Sequence, residues 1–264
     1  MRIVFLKLGG SLITDKTRPY TVRLEQLDAL AIEIASVLKE DTGLQLVLGH
    51  GSGSFGHEAA SHYDTRRGVS GAQAWRGFAE VWYQASRLNR LVVDAFHRVG
   101  LPVVTFSPAA SVTAHAGKAL IWDSRPIQAA LSHGLLPVIH GDVVFDEIRG
   151  GTILSTEDLF YRLARDLHPQ RILLAGWEEG VWADFPARRH LLKEITPTTY
   201  KIQAPGLGVT VGTDVTGGMN SKVTEMLALL EEMPELEILI FSGEQPKNIR
   251  RALNGENPGT CLHR

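Results

Sequence analysis

Cysteine is almost missing from this chain of 264 residues: Cys261 stands alone. That excludes an intramolecular disulfide and a cysteine-based zinc site, and it fits a reducing, cytoplasmic setting. An excess of one charge is missing too. With 27 Lys and Arg against 29 Asp and Glu the formal net charge is -2, so there is no broad basic field for nucleic acid, and any anion must be held locally. No apolar run approaches the length of a bilayer span. The opening MRIVFLKLGGSLITDK is apolar for only a few residues and lacks a small-residue cleavage site, so neither membrane association nor a signal peptide is expected. Repeats, low-complexity linkers and a Walker A sequence (G-x-x-x-x-G-K-[ST]) are also absent.

What is present is an alternation of short β-branched runs and longer amphipathic segments, with 44% hydrophobic residues, enough for one large domain or two closely packed lobes. RIVFLKL, LQLVLGH, LPVVTF, LLPVIHGDVVF, RILLAG and EILIFS read as strands. LEQLDALAIEIASVLK carries apolar residues at helical spacing from Leu24 to Leu38. A long helical region is expected from about Ala72 to Val99, broken by Gly77, and another helix over MNSKVTEMLALLEEM. Strands apolar on both faces, alternating with helices, predict an α/β fold: a three-layer αβα sandwich around a mostly parallel sheet. RDLHPQR, where a helix meets Pro169 before a strand, reads as a seam between lobes and not as a flexible tether.

Three glycine-bearing turns punctuate this pattern. KLGGS places Lys7, Gly9, Gly10 and Ser11 after the first strand; GHGSGSFGH follows the second; DVTGGMNSK sets Asp214, Thr216, Gly217 and Gly218 before a helix carrying Lys222. Glycines let backbone N–H groups approach phosphate oxygens, and a helix amino terminus favours an anion. Any one such turn is more often a tight turn than a ligand cradle, but three of them, two with a nearby lysine, suggest a polyphosphate and a second phosphate. Lys7 adds weight, because a lysine inside an apolar strand needs a compensating anion or a depressed pKa. Gly51-x-Gly53-x-x-Gly56 matches a dinucleotide fingerprint on paper, yet the region where that fold wants an acidic strand end, QAWRGFAEVW, reads as helix. His50, His57 and His62 have spacings that suit no common short metal motif, and no protein-ligated metal is expected.

KLGGSLIT, GHGSGSFGH, HGDVVFD, DVTGGMNSK and the closing NIRRALNGENPGT together resemble the amino acid kinase superfamily over nearly the whole chain, and within it the isopentenyl phosphate kinase branch. Phe55-Gly56-His57 is the narrow mark, since a histidine there distinguishes phosphate-accepting members from those that phosphorylate carboxylates. The resemblance implies a single amino-acid-kinase-like domain, with an acceptor-phosphate lobe over about 1–167 and a nucleotide lobe over about 168–264. It implies that Lys7 contacts the phosphoryl group in flight, that Lys16 adds a second positive charge, and that Gly9, Gly10 and Ser11 touch nucleotide phosphates. Gly53, Gly56 and His57 would grip the acceptor phosphate, with Gly141 closing over it and Asp142 orienting the lysines. Asp214, Thr216, Gly217, Gly218 and Lys222 would hold ATP, which would bring Mg2+ with it, and a homodimer is the expected assembly.

Two departures stand out. GWEEGVW puts Trp177 and Glu179 where relatives commonly carry aspartates, and Ser155-Thr156-Glu157-Asp158 replaces a frequent Ser-Gly-Asp-Asp. Three functions stay open at this level: an ATP-dependent kinase of isopentenyl phosphate, a kinase of another small phosphate or phosphonate such as fosfomycin, and a nucleotide-binding sensor without turnover. For an isoprenoid tail, Trp75, Phe78, Val81 or Trp82, and Ala85 are spaced to line an apolar pocket, or simply to form ordinary core.

Overall fold

The computed structural model describes residues 2–203 and 218–264, with all their side chains except those at 57, 61, 62 and 201–203. Its elements are, in order, β1 (Arg2–Leu8), α1 (Gly10–Ile13), α2 (Leu24–Glu40), β2 (Leu44–His50), α3 (Gly53–Tyr63), α4 (Gly71–Arg98), β3 (Val103–Thr105), α5 (Pro108–Ser111), β4 (Val112–His115), β5 (Lys118–Trp122), α6 (Arg125–Ser132), β6 (Leu136–His140), β7 (Asp142–Asp146), β8 (Gly150–Leu154) and α7 (Thr156–Leu167). There follow β9 (Arg171–Gly176), β10 (Val181–Trp182), β11 (Leu191–Leu192), β12 (Glu194–Ile195), α8 (Pro197–Gln203), α9 (Gly218–Glu232), β13 (Glu237–Ser242), α10 (Asn248–Leu253) and β14 (Thr260–Leu262). Among the described residues, no helix is long and apolar enough to cross a membrane.

The main sheet has the order β12-β14-β13-β9-β1-β2-β6-β3. Its strands are parallel except that β14 runs antiparallel to β13. The period-2 alternation of β1 explains the layering: Val4, Leu6 and Leu8 join a core cluster with Leu27, Ile34, Leu88 and Phe96 of α2 and α4, while Phe5 joins Leu159, Phe160 and Leu163 of α7 in the cluster on the other face. Helices therefore cover both faces, as expected for strands apolar throughout. At the seam, His168 takes a left-handed conformation after α7, and Pro169 and Gln170 lead into β9. Because β9 pairs directly with β1, the sheet is continuous across that point.

Two sequence expectations are corrected. LLPVIHGDVVF is not one strand: Gly141 separates β6, in the main sheet, from β7, in a second sheet of order β5-β4-β7-β8. The polar His140-Gly141-Asp142 step between the apolar stretches marks the break, and the chain changes sheets there. Nor does Gly77 break α4, which runs from Gly71 to Arg98. A Cβ there would stand 2.3 Å from Cγ of Tyr63, so glycine permits close approach of α3. Gly77→Ala should consequently destabilise the fold by about 1–2 kcal/mol, overpacking outweighing the helix propensity gained. Thermal unfolding should show this as a fall of several degrees in Tm; a rise would mean that Tyr63 yields freely.

Candidate active site

Adjacent strands β13, β9, β1 and β2 all end at the same edge of the main sheet, and their carboxyl ends carry Gly243, Gly176, Gly9 and Gly51. In open α/β sheets this edge is where ligands bind. The first two glycine turns meet here backbone to backbone: a Cβ on Gly10 would stand 2.4 Å from N of Gly53. Gly53 itself has φ +49°, a left-handed conformation in which glycine alone is unstrained. Thr14 locks the contact, its hydroxyl donating to the Gly10 carbonyl at 2.7 Å and accepting from N–H of Ser54 at 3.0 Å. Gly9 donates to the carbonyl of Ala175 at 2.7 Å, and Gly51 to that of Leu8 at 3.0 Å.

Lys7, at the end of β1, is 7% exposed and forms an ion pair with Glu157. Glu157 lies in the first turn of α7, whose N-cap Ser155 and Asp158 form a reciprocal capping box. Burial alone would raise the Glu157 pKa, but the charges of Lys7 and then Lys222 outweigh it and hold the carboxyl below its usual range. Sequence reasoning missed Glu157. Among the described residues Lys7 is paired with Glu157; Asp142 Oδ1 accepts from N–H of Val143 at 2.8 Å while Oδ2 lies 3.5 Å from Nε2 of His140. The only signal was the Ser155-Thr156-Glu157-Asp158 departure, which sequence distance does not connect to Lys7.

The remaining predicted residues fall into three groups. Ser11 lies in the first turn of α1, beside Gly10. Gly56 and Gly141 border the loop after β2, but Gly56 donates to the Ser52 carbonyl and Gly141 to that of His50, so their N–H groups are already engaged. His57 belongs to α3, at a position where only the backbone is described. Lys16 is exposed at the rim, and its charge helps lower the pKa of Glu178 in the GWEEGVW turn. Gly218 begins α9, and Lys222 follows one turn later, near enough to act on Glu157. Asp214, Thr216 and Gly217 lie outside the described residues.

Behind the loop after β2, His50 is fully buried. Its ring lies between the Gly51 carbonyl and Asn89, 3.1 Å from each, and stacks on His140 at 5.3 Å. Burial, then the neighbouring His140, lowers its pKa to about 3, so His50 is a neutral part of the scaffold. Of the candidate tail-pocket residues, Phe78, Val81 and Ala85 are buried whereas Trp82 is 44% exposed. Trp75 and Phe78 form an aromatic cluster with Phe145 of β7, ring centroids 5.1 to 5.9 Å apart.

Backbone loops in contact, a buried lysine held by a carboxylate and a second lysine on a helix start make this an arrangement for moving phosphoryl groups. The chain belongs to the amino acid kinase family, whose model matches residues 2–242. Isopentenyl phosphate kinase of Methanocaldococcus jannaschii is 33% identical, the match covering 98% of this chain and 97% of that one. The protein of the same name from Haloferax volcanii is 34% identical, with 99% of each covered. A solved isopentenyl phosphate kinase superposes with a TM-score of 0.83 at 31% identity, over 98% of this chain and 99% of its own.

One carboxyl near the lysines titrates close to neutrality. Glu225, one turn beyond Lys222 on α9, is raised from 4.5 to about 7, first by burial and then by the charge of Asp158. A carboxyl raised in the fold contributes its stability below the unfolded value, near 4.5, and loses it as pH climbs through 7. Glu225→Gln should therefore leave Tm little changed at pH 5 and raise it at pH 8. The gain corresponds to about 1–2 kcal/mol once partial solvent screening is allowed for. A pH-independent difference in Tm would contradict the assignment.

Proposed function

We propose that the protein transfers the γ-phosphoryl group of ATP to the phosphate of isopentenyl phosphate, giving isopentenyl diphosphate and ADP. The observation that carries this reading is the contact of Gly10 with Gly53, because it sets a donor-phosphate loop directly against an acceptor-phosphate loop. An oxygen of the acceptor phosphate attacks the γ-phosphorus; the bond from that phosphorus to the β,γ-bridging oxygen breaks, and its electron pair leaves with ADP. A phosphomonoester has a second pKa of about 6, so the attacking oxygen is already ionised near neutral pH and no protein base is needed.

The protein's contribution is position and fixed positive charge. Lys7 faces the transferred group, with its approach set by Glu157. Lys222, with Asp214 and Thr216 to Gly218, holds the β- and γ-phosphates, Lys16 supplies charge from the rim, and Gly9, Gly10 and Ser11 line the donor side. Mg2+, bound with ATP, would supply further neutralisation of the phosphate charge. Gly53 and His57 take the acceptor phosphate, with Gly56 and Gly141 bordering it, and Asp142 supports that floor through Val143 and His140. The Trp75, Phe78 and Phe145 cluster offers an apolar surface suited to a short prenyl tail. Family likeness and the cysteine-poor composition extend the reading to a cytoplasmic homodimer, whose assembly sedimentation would measure.

ADP release tests the reaction directly. Isopentenyl and dimethylallyl phosphate should both be good acceptors, and Lys7→Met should lower kcat on the order of 10²- to 10³-fold in protein that still melts cooperatively. Faster turnover of fosfomycin or of a hydrophilic phosphomonoester would overturn the acceptor assignment. Absence of ADP release with every acceptor would favour a sensor.

The histidine has its own test. As a hydrogen-bond donor to a non-attacking oxygen, His57 would recognise the acceptor phosphate without taking its proton. His57→Ala should raise KM for isopentenyl phosphate and lower kcat, leaving KM for ATP nearly unchanged, while His57→Gln falls between it and the parent enzyme. A defect confined to ATP would move the loop to the donor side.

A further inference from the structure

We infer that Arg23 is a positioning residue for the donor phosphates, clamping the Gly9–Ser11 loop to the turns that follow β9 and β13. This rests on the reading of that loop as the ATP side of the site. Three sets of contacts carry it. First, Arg23 holds the end of α1: its backbone N–H donates to the Ile13 carbonyl at 2.8 Å, and Nη1 donates to the Leu12 carbonyl at 3.1 Å. With four residues, α1 is a single turn and cannot hold its shape unaided. Gly10 and Ser11, its opening residues, therefore depend on what fixes its last carbonyls.

Second, the same guanidinium pairs through both terminal nitrogens with Glu244, Nη2 reaching Oε2 at 3.1 Å. Glu244 follows Gly243 at the end of β13. Third, the guanidinium lies over the indole of Trp177, 5.1 Å from the ring centroid, and Trp177 follows Gly176 at the end of β9. The two turns are also joined to each other, since Ser242 Oγ donates to the Trp177 carbonyl at 3.2 Å and Gly243 donates to that of Gly176 at 2.9 Å. Gln26 reaches the Gly243 carbonyl from α2 at 3.1 Å.

Thus one side chain from before the seam at residue 168 grips two turns from after it, next to the loop that faces the donor. Trp177 is 55% exposed and adds little to the core. A partly exposed ion pair also contributes little to global stability. What this arrangement fixes is the separation of the turns. Lysine would not substitute, because a single ammonium cannot chelate both Glu244 oxygens, reach Leu12 and stack on an indole.

The test is steady-state ADP release with each substrate varied, read beside the ATP-induced rise in Tm, which needs no acceptor. Arg23→Ala should raise KM for ATP about tenfold, the scale of losing a charged hydrogen bond, leave KM for isopentenyl phosphate within about twofold, and shrink the ATP-induced rise in Tm. Trp177→Ala should shift KM for ATP in the same direction by less, and Arg23→Ala/Glu244→Ala should be no worse than Arg23→Ala alone. If Arg23→Ala does not fold, Arg23→Lys and Glu244→Gln should show the same split between substrates at smaller size. An unchanged KM for ATP, equal rises in both KM values, or effects of Arg23→Ala and Glu244→Ala that multiply would overturn the inference. No ADP release from the parent enzyme, with an ATP-induced rise in Tm that Arg23→Ala diminishes, would remove the acceptor reading and keep the clamp. No ATP-induced rise in the parent enzyme would remove both.

Discussion

The pairing of Lys7 with Glu157 is the constraint around which the site is arranged. Leaving either charge buried and unpaired costs several kcal/mol, so the end of β1 and the start of α7 must meet. Helix geometry assists, because a carboxylate in the first turn lies in the favourable field of the helix amino terminus. The residue before it adds a second tie: the Thr156 hydroxyl donates to the His50 carbonyl at 2.6 Å. That carbonyl also accepts from N–H of Gly141. One oxygen at the end of β2 thereby joins α7 to the point where the chain leaves the main sheet for the second one. Displacing Glu157 would disturb Lys7, the loop after β2 and the passage between sheets together.

Much of the fold was legible because its strands announce themselves. RIVFLKL, LQLVLGH, RILLAG and EILIFS are β-branched or aliphatic runs bounded by glycine or polar residues, and they coincide with β1, β2, β9 and β13. The failures have physical causes of the opposite kind. Gly141 changes sheets between His140 and Asp142, a polar step short enough to pass for a turn within one strand, and Gly77 reads as a helix breaker because propensity cannot see the Tyr63 ring that needs its space. Both are tertiary facts carried by a residue with no side chain.

The site was legible as glycine turns and lysines, whose chemistry is local, and illegible as pairings. Asp142 and Glu157 are both buried carboxylates, 1% and 2% exposed. Nothing in their neighbours along the chain says which one reaches Lys7. The answer comes from topology: β7 has left the main sheet, taking Asp142 toward His140, whereas α7 packs on β1 through Phe160 and Phe5, whose rings are 4.9 Å apart. Arg23 was equally invisible, since its partners Glu244 and Trp177 follow strands met far later in the chain.

The same topology explains why the two glycine loops need few conspicuous side chains. Gly10 and Gly53 are brought together by two parallel strands in register, Lys7 opposite Gly49 and Leu8 opposite His50. The separation of the loops is therefore set by backbone packing and not by rotamers. Phosphoryl transfer depends on holding attacking and leaving oxygens in line, and a distance fixed by main-chain contact does not relax when a side chain turns. Positive charge can then be carried by few side chains, with Lys7 buried and held in place by Glu157. A backbone contact between glycines sets the spacing, and a carboxylate-held lysine sets the charge beside it.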